Sequence, residues 1–405
     1  MRVAGTAPAA ARCFTHRSLR VLHEYRAGPL TALALSVRAG ARFDGPHPGL
    51  AHMTEHMLFQ GTSTLDQMAL NRRAAELGGE HNADTGFETI SLTLEVFNDD
   101  LDDALALLAD QYYRSTIEPQ RLSKERRVVL DEIRGRFTDP VEQLYVGAWC
   151  RFFRGALAHP ICGTPRTVRE LRPAHVSEFL SRHFLHANTA LAVVGGVDLE
   201  AVRASVRRHF SRLDQIAPLP PPPVEYGTQF KFDMRRNATH GYFLQLLQVP
   251  PNPRAVLATS LALEIVGVGP DSVLFQEVRE RLGLGYDVTA TLEWGPDWAV
   301  ATLGASAPPD GVRSIEEVVR SLRRRTMNEG FSGEDFERAR KKLRYRFASV
   351  ADERLGRALA LTESVLLGFP APAEAEEMVR QMERVEVETT WRLALAGHFL
   401  TARLL

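Results

Sequence analysis

Gly49-Leu50-Ala51-His52-Met53-Thr54-Glu55-His56-Met57-Leu58-Phe59 is the stretch on which the reading of this chain turns. On an α-helix, residues four apart lie on one face, so His52 and His56 converge on a common point. Imidazole nitrogen is a preferred zinc ligand, and a catalytic zinc takes three protein ligands and keeps one position open. Glu55 lies beside that face, within reach of a proton on a water held there. The order H-x-x-E-H is the inverse of the commoner zinc-peptidase motif. A chain of this composition carries such a pattern by chance on the order of a few hundredths of the time, so the motif alone only suggests chemistry. The apolar residues opposite the histidines, with Gly49 and Gly61 as stops, point to a buried helix rather than a solvated one.

A third ligand is needed, and the segment after Pro119 offers Glu125, Asp131 and Glu132. Glu125 and Glu132 are two helical turns apart and share a face, while Asp131 is rotated by about 100°. Two carboxylates on one face can place one on a metal and leave the other to orient a ligand. Against this stands a plain solvated face, since Lys124, Arg126 and Arg127 are close by.

The rest of the chain sets the frame. Its 405 residues exceed one ordinary domain, and 44% hydrophobic with 24% charged residues is a soluble globular balance. A net charge of -1 argues against nucleic-acid binding, and no apolar run reaches the roughly 20 residues that cross a bilayer. Cys13, Cys150 and Cys162 are too few and scattered for a disulfide framework. Only Lys124, Lys231, Lys341 and Lys342 among the 49 basic residues are lysines, a bias typical of GC-rich bacterial genomes. Met1 to Arg20 has four arginines and no acid, as a transit peptide does. The genome bias favours an irregular start before the first strand instead, and a cytoplasmic chain is expected.

Pro218-Leu219-Pro220-Pro221-Pro222-Pro223 is a stiff, extended run and marks a linker. It gives domains at residues 1–217 and 229–405 with a linker at 218–228. The two pieces look alike. Thr89 to Val96 alternates as a strand does, a helix follows from about Leu101 to Tyr113, and a turn at Glu118-Pro119 leads into another helix. Trp298 to Leu303, Ile315 to Leu322, Phe331-Ser332-Gly333 and Phe336 to Phe347 repeat that order. Setting Ile117 on Phe331 also aligns Leu122 with Phe336 and Val129 with Leu343, so an internal duplication of an α+β unit is expected. The same alignment puts Arg346 opposite Glu132, which leaves the second copy without a third ligand.

With these residues together, the chain resembles the inverted-motif zinc peptidases that include pitrilysin, insulin-degrading enzyme and the mitochondrial processing peptidase. The resemblance runs through GLAHMTEHMLFQGT (49–62), GEHNADTGFET (79–89), ERRVVLDEI (125–133), Gly163-Thr164, NTALAVVGGV (188–197) and LFQEVRERLGLGY (274–286). It implies that His52, His56 and Glu132 bind one zinc ion, and Glu132 stands at the family's distance of 76 residues past His56. It implies Glu55 as general base acting on a zinc-bound water, and Glu125 as a carboxylate supporting the ligands. Asn82 and Ala83 match the edge strand to which substrate backbone adds, and Phe59 lines the pocket nearby. Arg279 and Tyr286 match an Arg/Tyr pair that contacts substrate and can face a developing oxyanion. The chain departs from the family at Val273, where arginine is usual, and at Gly285 and Asp287 around the tyrosine. His81 reads as a polar residue at a strand end, His159 as surface, and Cys162 as a small buried filler.

The implied fold is two homologous α+β domains, each a mostly antiparallel sheet covered on one face by helices, together forming half of a clamshell chamber. The implied activity is zinc-dependent endopeptidase cleavage of unfolded oligopeptides or leader peptides in a dimeric chamber. Because one chain holds both the zinc residues and the Arg/Tyr pair, a homodimer is expected. A heterodimer active only with a related peptidase subunit is the alternative. A non-catalytic core subunit of a respiratory complex is the competing class, and the intact His52, Glu55, His56 and Glu132 weigh against it.

Overall fold

The computed structural model describes residues 11–214, 216–235, 240–285 and 287–405. The irregular start expected before the first strand falls mostly on residues 1–10, outside those described.

The chain folds as two compact units. The first comprises the residues up to Ile133, Pro160–Pro222 and Val350–Phe369. Its sheet has six strands, β1 (Arg12–His16), β2 (Leu19–Tyr25), β3 (Leu30–Val37), β4 (His81–Thr85), β5 (Ile90–Phe97) and β6 (Thr189–Gly195). Their order is β1-β2-β6-β3-β5-β4. All neighbours run antiparallel except β2 and β6. The β6 run TALAVVG is buried throughout, the apolar pattern of a strand covered on both faces.

Helices α1 (Leu50–Leu58) and α2 (Leu101–Arg114) belong to this unit, as does most of α3 (Pro119–Arg136). α2 carries the amphipathic face expected of a surface helix, with Ala104, Leu105 and Leu108 fully buried. α3 buries only Leu122, Glu125, Val129 and Ile133, a stripe along one side. Glu125 and Glu132 are thereby set toward the same side of the helix.

The second unit comprises Arg134–His159, Pro223–Ser349 and Pro370–Leu405. Its strands are β7 (Lys231–Met234), β8 (Gly241–Gln248), β9 (Val288–Gly295), β10 (Trp298–Ala307) and β11 (Phe399–Leu404). They lie in the order β9-β10-β8-β11-β7. The one parallel pairing is between β11 and β7. This is the order of β4-β5-β3-β6-β2, with the parallel pairing at the same place. Shared topology at that level of detail is what a duplication leaves.

Two features differ from the sequence reading. The first is that the units are not the two contiguous pieces on either side of the proline run. Helix α4 (Pro140–Phe152) comes from the first half of the sequence yet packs on β11 and β8 of the second unit. Its Trp149 meets Trp298 edge to face at 5.8 Å, and Leu144, Ala148 and Phe152 are fully buried with it. Helices α5 (Pro173–His183), α6 (Leu199–His209), α7 (Pro253–Val266), α8 (Val312–Glu329) and α9 (Gly333–Asp352) follow in chain order. Then α10 (Arg354–Leu367), from the second half, packs on β3 and β6 of the first unit. α4 follows α3 as α10 follows α9, so the duplicated halves have exchanged equivalent helices.

The second difference is that helices cover both faces of the first sheet rather than one. Thr85 and its partner Ile90 face α1, whereas Ser91 faces α10. ISLTLEVF alternates polar and apolar, yet its polar residues Ser91 and Thr93 are buried too. α10 meets that face with hydroxyls of its own. Ser36 Oγ lies 2.8 Å from Ser91 Oγ and 2.7 Å from Thr362 Oγ1. Arg357 of α10 donates from Nε to Glu24 Oε2 at 2.9 Å, with Nη2 at 2.8 Å, and both side chains are buried. The other Glu24 oxygen takes Arg26 Nε at 2.9 Å. Both carboxylate oxygens of Glu24 are thereby paired, as the low dielectric demands.

Candidate metal centre and peptide-binding edge

α1 starts where it does because Asp44 supplies its cap. Asp44 Oδ2 accepts the Gly49 amide at 2.6 Å and Oδ1 the Ala51 amide at 2.7 Å, filling donors that a helix leaves open at its first turn. Gly49 has φ +93°, and a Cβ there would sit 2.8 Å from the Cys162 carbonyl and 3.0 Å from Gly163 Cα. Gly163, at φ +71°, is closed in by the Pro48 carbonyl in the same way. The loop at Gly163-Thr164 thus fixes the entry to the helix, a role its sequence did not disclose. Cys162 is buried, as a small filler would be.

The helix presents His52 and His56 with ring centroids 4.7 Å apart at 72°. Glu132 of α3 brings Oε2 to 3.5 Å from His52 Nε2 and 3.8 Å from His56 Nε2. One donor atom from each of the three lies within 4.8 Å of the others. Ligands bound at 2.0–2.2 Å in a tetrahedral shell stand about 3.3–3.6 Å apart, so this donor set fits an ion with little adjustment. Two imidazoles and one carboxylate are also a known zinc-enzyme combination. Asp131, the neighbour left open in the sequence, is exposed and is not part of this group.

Glu125 is buried and reaches His56 Nδ1 at 3.2 Å through Oε2. That contact directs the other ring nitrogen of His56 toward Glu132. Burial works to lower the pKa of His56. The hydrogen bond with Glu125 and the charges of Glu55, Glu125 and Glu132 outweigh it, and the net shift is upward. The cluster is short of positive charge, which is the electrostatic condition for holding a cation.

Glu55 sits next to His56 and is half-buried. Its Oε2 accepts a hydrogen bond from Thr85 Oγ1, the last residue of β4. Burial pushes the Glu55 carboxyl above its ordinary pKa, and Asp84 and Glu132 push the same way. Thr85 and His56 pull against them. A carboxylate raised in this manner is suited to accept a proton near neutral pH.

Among the described residues β4 is the edge of its sheet and pairs with β5 alone. Asn82 and Ala83 lie on it, and Asn82 Oδ1 accepts the Ala83 amide at 2.9 Å. That bond satisfies a backbone donor in the absence of a further strand. Phe59 closes α1 and packs on the His81 ring at 4.9 Å. His81 is half-buried, its pKa lowered by burial, and stands outside the donor group. His159 is exposed at the end of a short helical turn, as a surface residue is.

Arg279 belongs to the second unit. It lies exposed on a π-helical turn, Gln276–Arg281, which Leu274 and Val278 anchor in the core with Phe243 and Ile315. Its Nε is 3.6 Å from Glu280, and its guanidinium lies 5.5 Å from the Phe275 ring. Tyr286 lies outside the described residues. Arg346, aligned with Glu132, pairs with the buried Glu264 of α7, and Lys342 Nζ stands 3.4 Å from that same carboxylate. The second unit carries fixed cations at the position where the first gathers metal donors.

Asp44, Thr85 and Glu88 went unnoticed in the sequence. Glu88 pairs with Arg42 at 2.8 Å, both buried, and Arg42 Nε donates to the Pro222 carbonyl at 3.0 Å. Glu88 and Thr85 stand within the segment GEHNADTGFET, whose density of polar residues next to a strand was the available signal.

The chain is similar to known proteins over most of its length. The family model for insulinase, peptidase family M16, matches residues 20–148, and that for the peptidase M16 inactive domain matches residues 170–343. An uncharacterized zinc protease of Rickettsia bellii is 28% identical over 367 residues, 89% of this chain and 88% of that protein. One from Mycobacterium leprae is 30% identical over 320 residues, 75% of this chain and 71% of its own. Subunit 1 of the bovine mitochondrial cytochrome b-c1 complex is 29% identical over 197 residues, 48% of this chain and 41% of that subunit. A protease structure from Helicobacter pylori superposes with a TM-score of 0.90 at 16% identity, covering 98% of this chain and all of that one. That likeness establishes the fold.

Proposed function

The chain belongs to the insulinase (M16) peptidase family, and from that membership we propose that it is a zinc-dependent endopeptidase acting on unfolded oligopeptides or leader peptides. The observation that carries this reading is the His52, His56 and Glu132 donor group with Glu55 beside it. His52, His56 and Glu132 hold one zinc ion per chain. When bound, zinc supplies Lewis acidity, polarising a carbonyl and acidifying water.

Glu55 accepts the proton of the attacking water on its carboxylate and returns it to the leaving amine, so no covalent intermediate is needed. Glu125 keeps His56 oriented through Nδ1. Asn82 and Ala83 receive the peptide as an added strand, with Phe59 beside it. Arg279 and Tyr286 supply donors to the developing oxyanion. Two copies close a chamber that admits extended peptides and rejects folded proteins, and a related partner subunit is the alternative to a second copy. The chain works in the cytoplasm without nucleic acid or membrane. Among the described residues no helix is long and apolar enough to cross a membrane.

The bovine relative favours a second reading, a non-catalytic core subunit. The complete donor group and the base beside it weigh for the peptidase. The deciding experiment combines metal analysis with cleavage of a quenched, unstructured peptide by the purified chain. One zinc per chain and chelator-sensitive cleavage are expected. Zinc without cleavage points to a missing partner, and a chain that retains no zinc overturns the peptidase reading.

Glu125→Gln is expected to weaken zinc affinity by about 10- to 100-fold without unfolding the chain. Competition with a chelator of known affinity measures this, and an unchanged affinity would remove Glu125 from the site.

A further inference from the structure

We propose that Thr85 is a positioning residue that couples pairing of a peptide with β4 to the alignment of the Glu55 carboxylate. The proposal rests on the peptidase reading and deepens it.

Thr85 is the last residue of the edge strand, its side chain is buried, and its hydroxyl donates to Glu55 Oε2. Glutamate has three side-chain torsions, and from a helix surface its carboxylate samples several positions. Here one oxygen is tied to a strand, which leaves Oε1 to meet the proton. The tie is as firm as the strand that carries it. β4 has five residues and, among the described residues, a neighbour on one side only, and Gly86 follows it at once. A peptide that pairs along the open edge adds backbone hydrogen bonds to those residues and steadies Thr85. Binding energy from residues remote from the scissile bond is then expressed in kcat and not in KM. The hydroxyl is the only polar group of Thr85's side chain, so a side chain of the same shape without it isolates the effect.

The test uses quenched peptides with one scissile pair and increasing length along the strand. They are assayed with the zinc-loaded wild type, Thr85→Val, Thr85→Ser, Glu55→Gln and the Glu55→Gln/Thr85→Val double variant. Thr85→Val is expected to lower kcat by about 10- to 100-fold, the cost of a misdirected catalytic group. KM, zinc content and melting midpoint stay near wild type. Thr85→Ser restores most of the loss, the rise of kcat with peptide length disappears in Thr85→Val, and in the Glu55→Gln background Thr85→Val has no further effect.

Wild-type kcat in Thr85→Val overturns the proposal, as does an equal loss in Thr85→Ser or a loss confined to KM. A readout independent of turnover is a crystal structure of the metal-free Thr85→Val chain. An unmoved, ordered Glu55 carboxylate there also overturns it. Should Thr85→Val lower the melting midpoint, Thr85→Ala and Thr85→Ser carry the same comparison. The peptidase reading fails separately, if Glu55→Gln keeps wild-type turnover. An inactive Glu55→Gln beside a fully active Thr85→Val sinks only the role of Thr85.

Discussion

Glu55→Gln is expected to leave the chain folded and able to take up one zinc while peptide cleavage falls by about 10²- to 10⁴-fold. The substitution keeps the shape of the side chain, and the amide oxygen still accepts from Thr85. What is lost is a basic oxygen that can take a proton, and no other described residue in the site replaces it. Glu132 belongs to the donor group, and Glu125 is buried against His56. Metal content and kcat/KM measured on one preparation check both halves of the expectation. Retained cleavage would mean that the proton goes elsewhere. Lost zinc would mean that Glu55 serves the metal, not the water.

Arg357→Ala is expected to destabilise the first unit by about 3–5 kcal/mol, the largest stability effect of any single change considered. Glu24 is 1% exposed, and removing its buried partner strands a carboxylate in a low dielectric. Arg26 still reaches the other Glu24 oxygen, so the lower end of the range applies. A control separates the broken pair from lost packing. Replacing both members by apolar residues, as in Glu24→Leu/Arg357→Met, should recover much of the loss. Urea denaturation followed by a probe in the first unit measures it, and a shift under 1 kcal/mol would show that water reaches the pair. The unit falls short of two-state behaviour if the second unit melts separately, so the probe has to be local.

The histidine pair was legible in sequence for a geometrical reason: His52 and His56 differ by one helical turn and so share a face. Spacing put Glu125 and Glu132 on one face of a second helix but did not say which of them completes the group, and only the family resemblance pointed to Glu132. Duplication was legible because matched segments recur in the same order. Pairing across the fold was not legible. Periodicity shows that α4 and α10 each have an apolar side, but an apolar side fits any sheet, and nothing local says that the helices are exchanged. What covers Ser91 of β5 was not legible either, because it is reached through Ser36 and lies on a helix some 270 residues away, at Thr362. Asp44 and Thr85 act through single hydrogen bonds, which leave no period to detect.

Exchange of α4 and α10 also sets a timetable for the newborn chain. The strands of the first sheet have all left the ribosome once Gly195 is out, yet the helix that closes one of their faces ends at Leu367. At about 5–20 residues per second, roughly 10–30 s of synthesis separate the two events. For that interval the inner face of β3, β5 and β6 is open to whatever else binds apolar strands. Slower translation across the second half lengthens the exposure, and a chain truncated before Arg354 never ends it. Chaperone dependence of this protein in the cell is therefore expected to follow elongation rate as well as temperature.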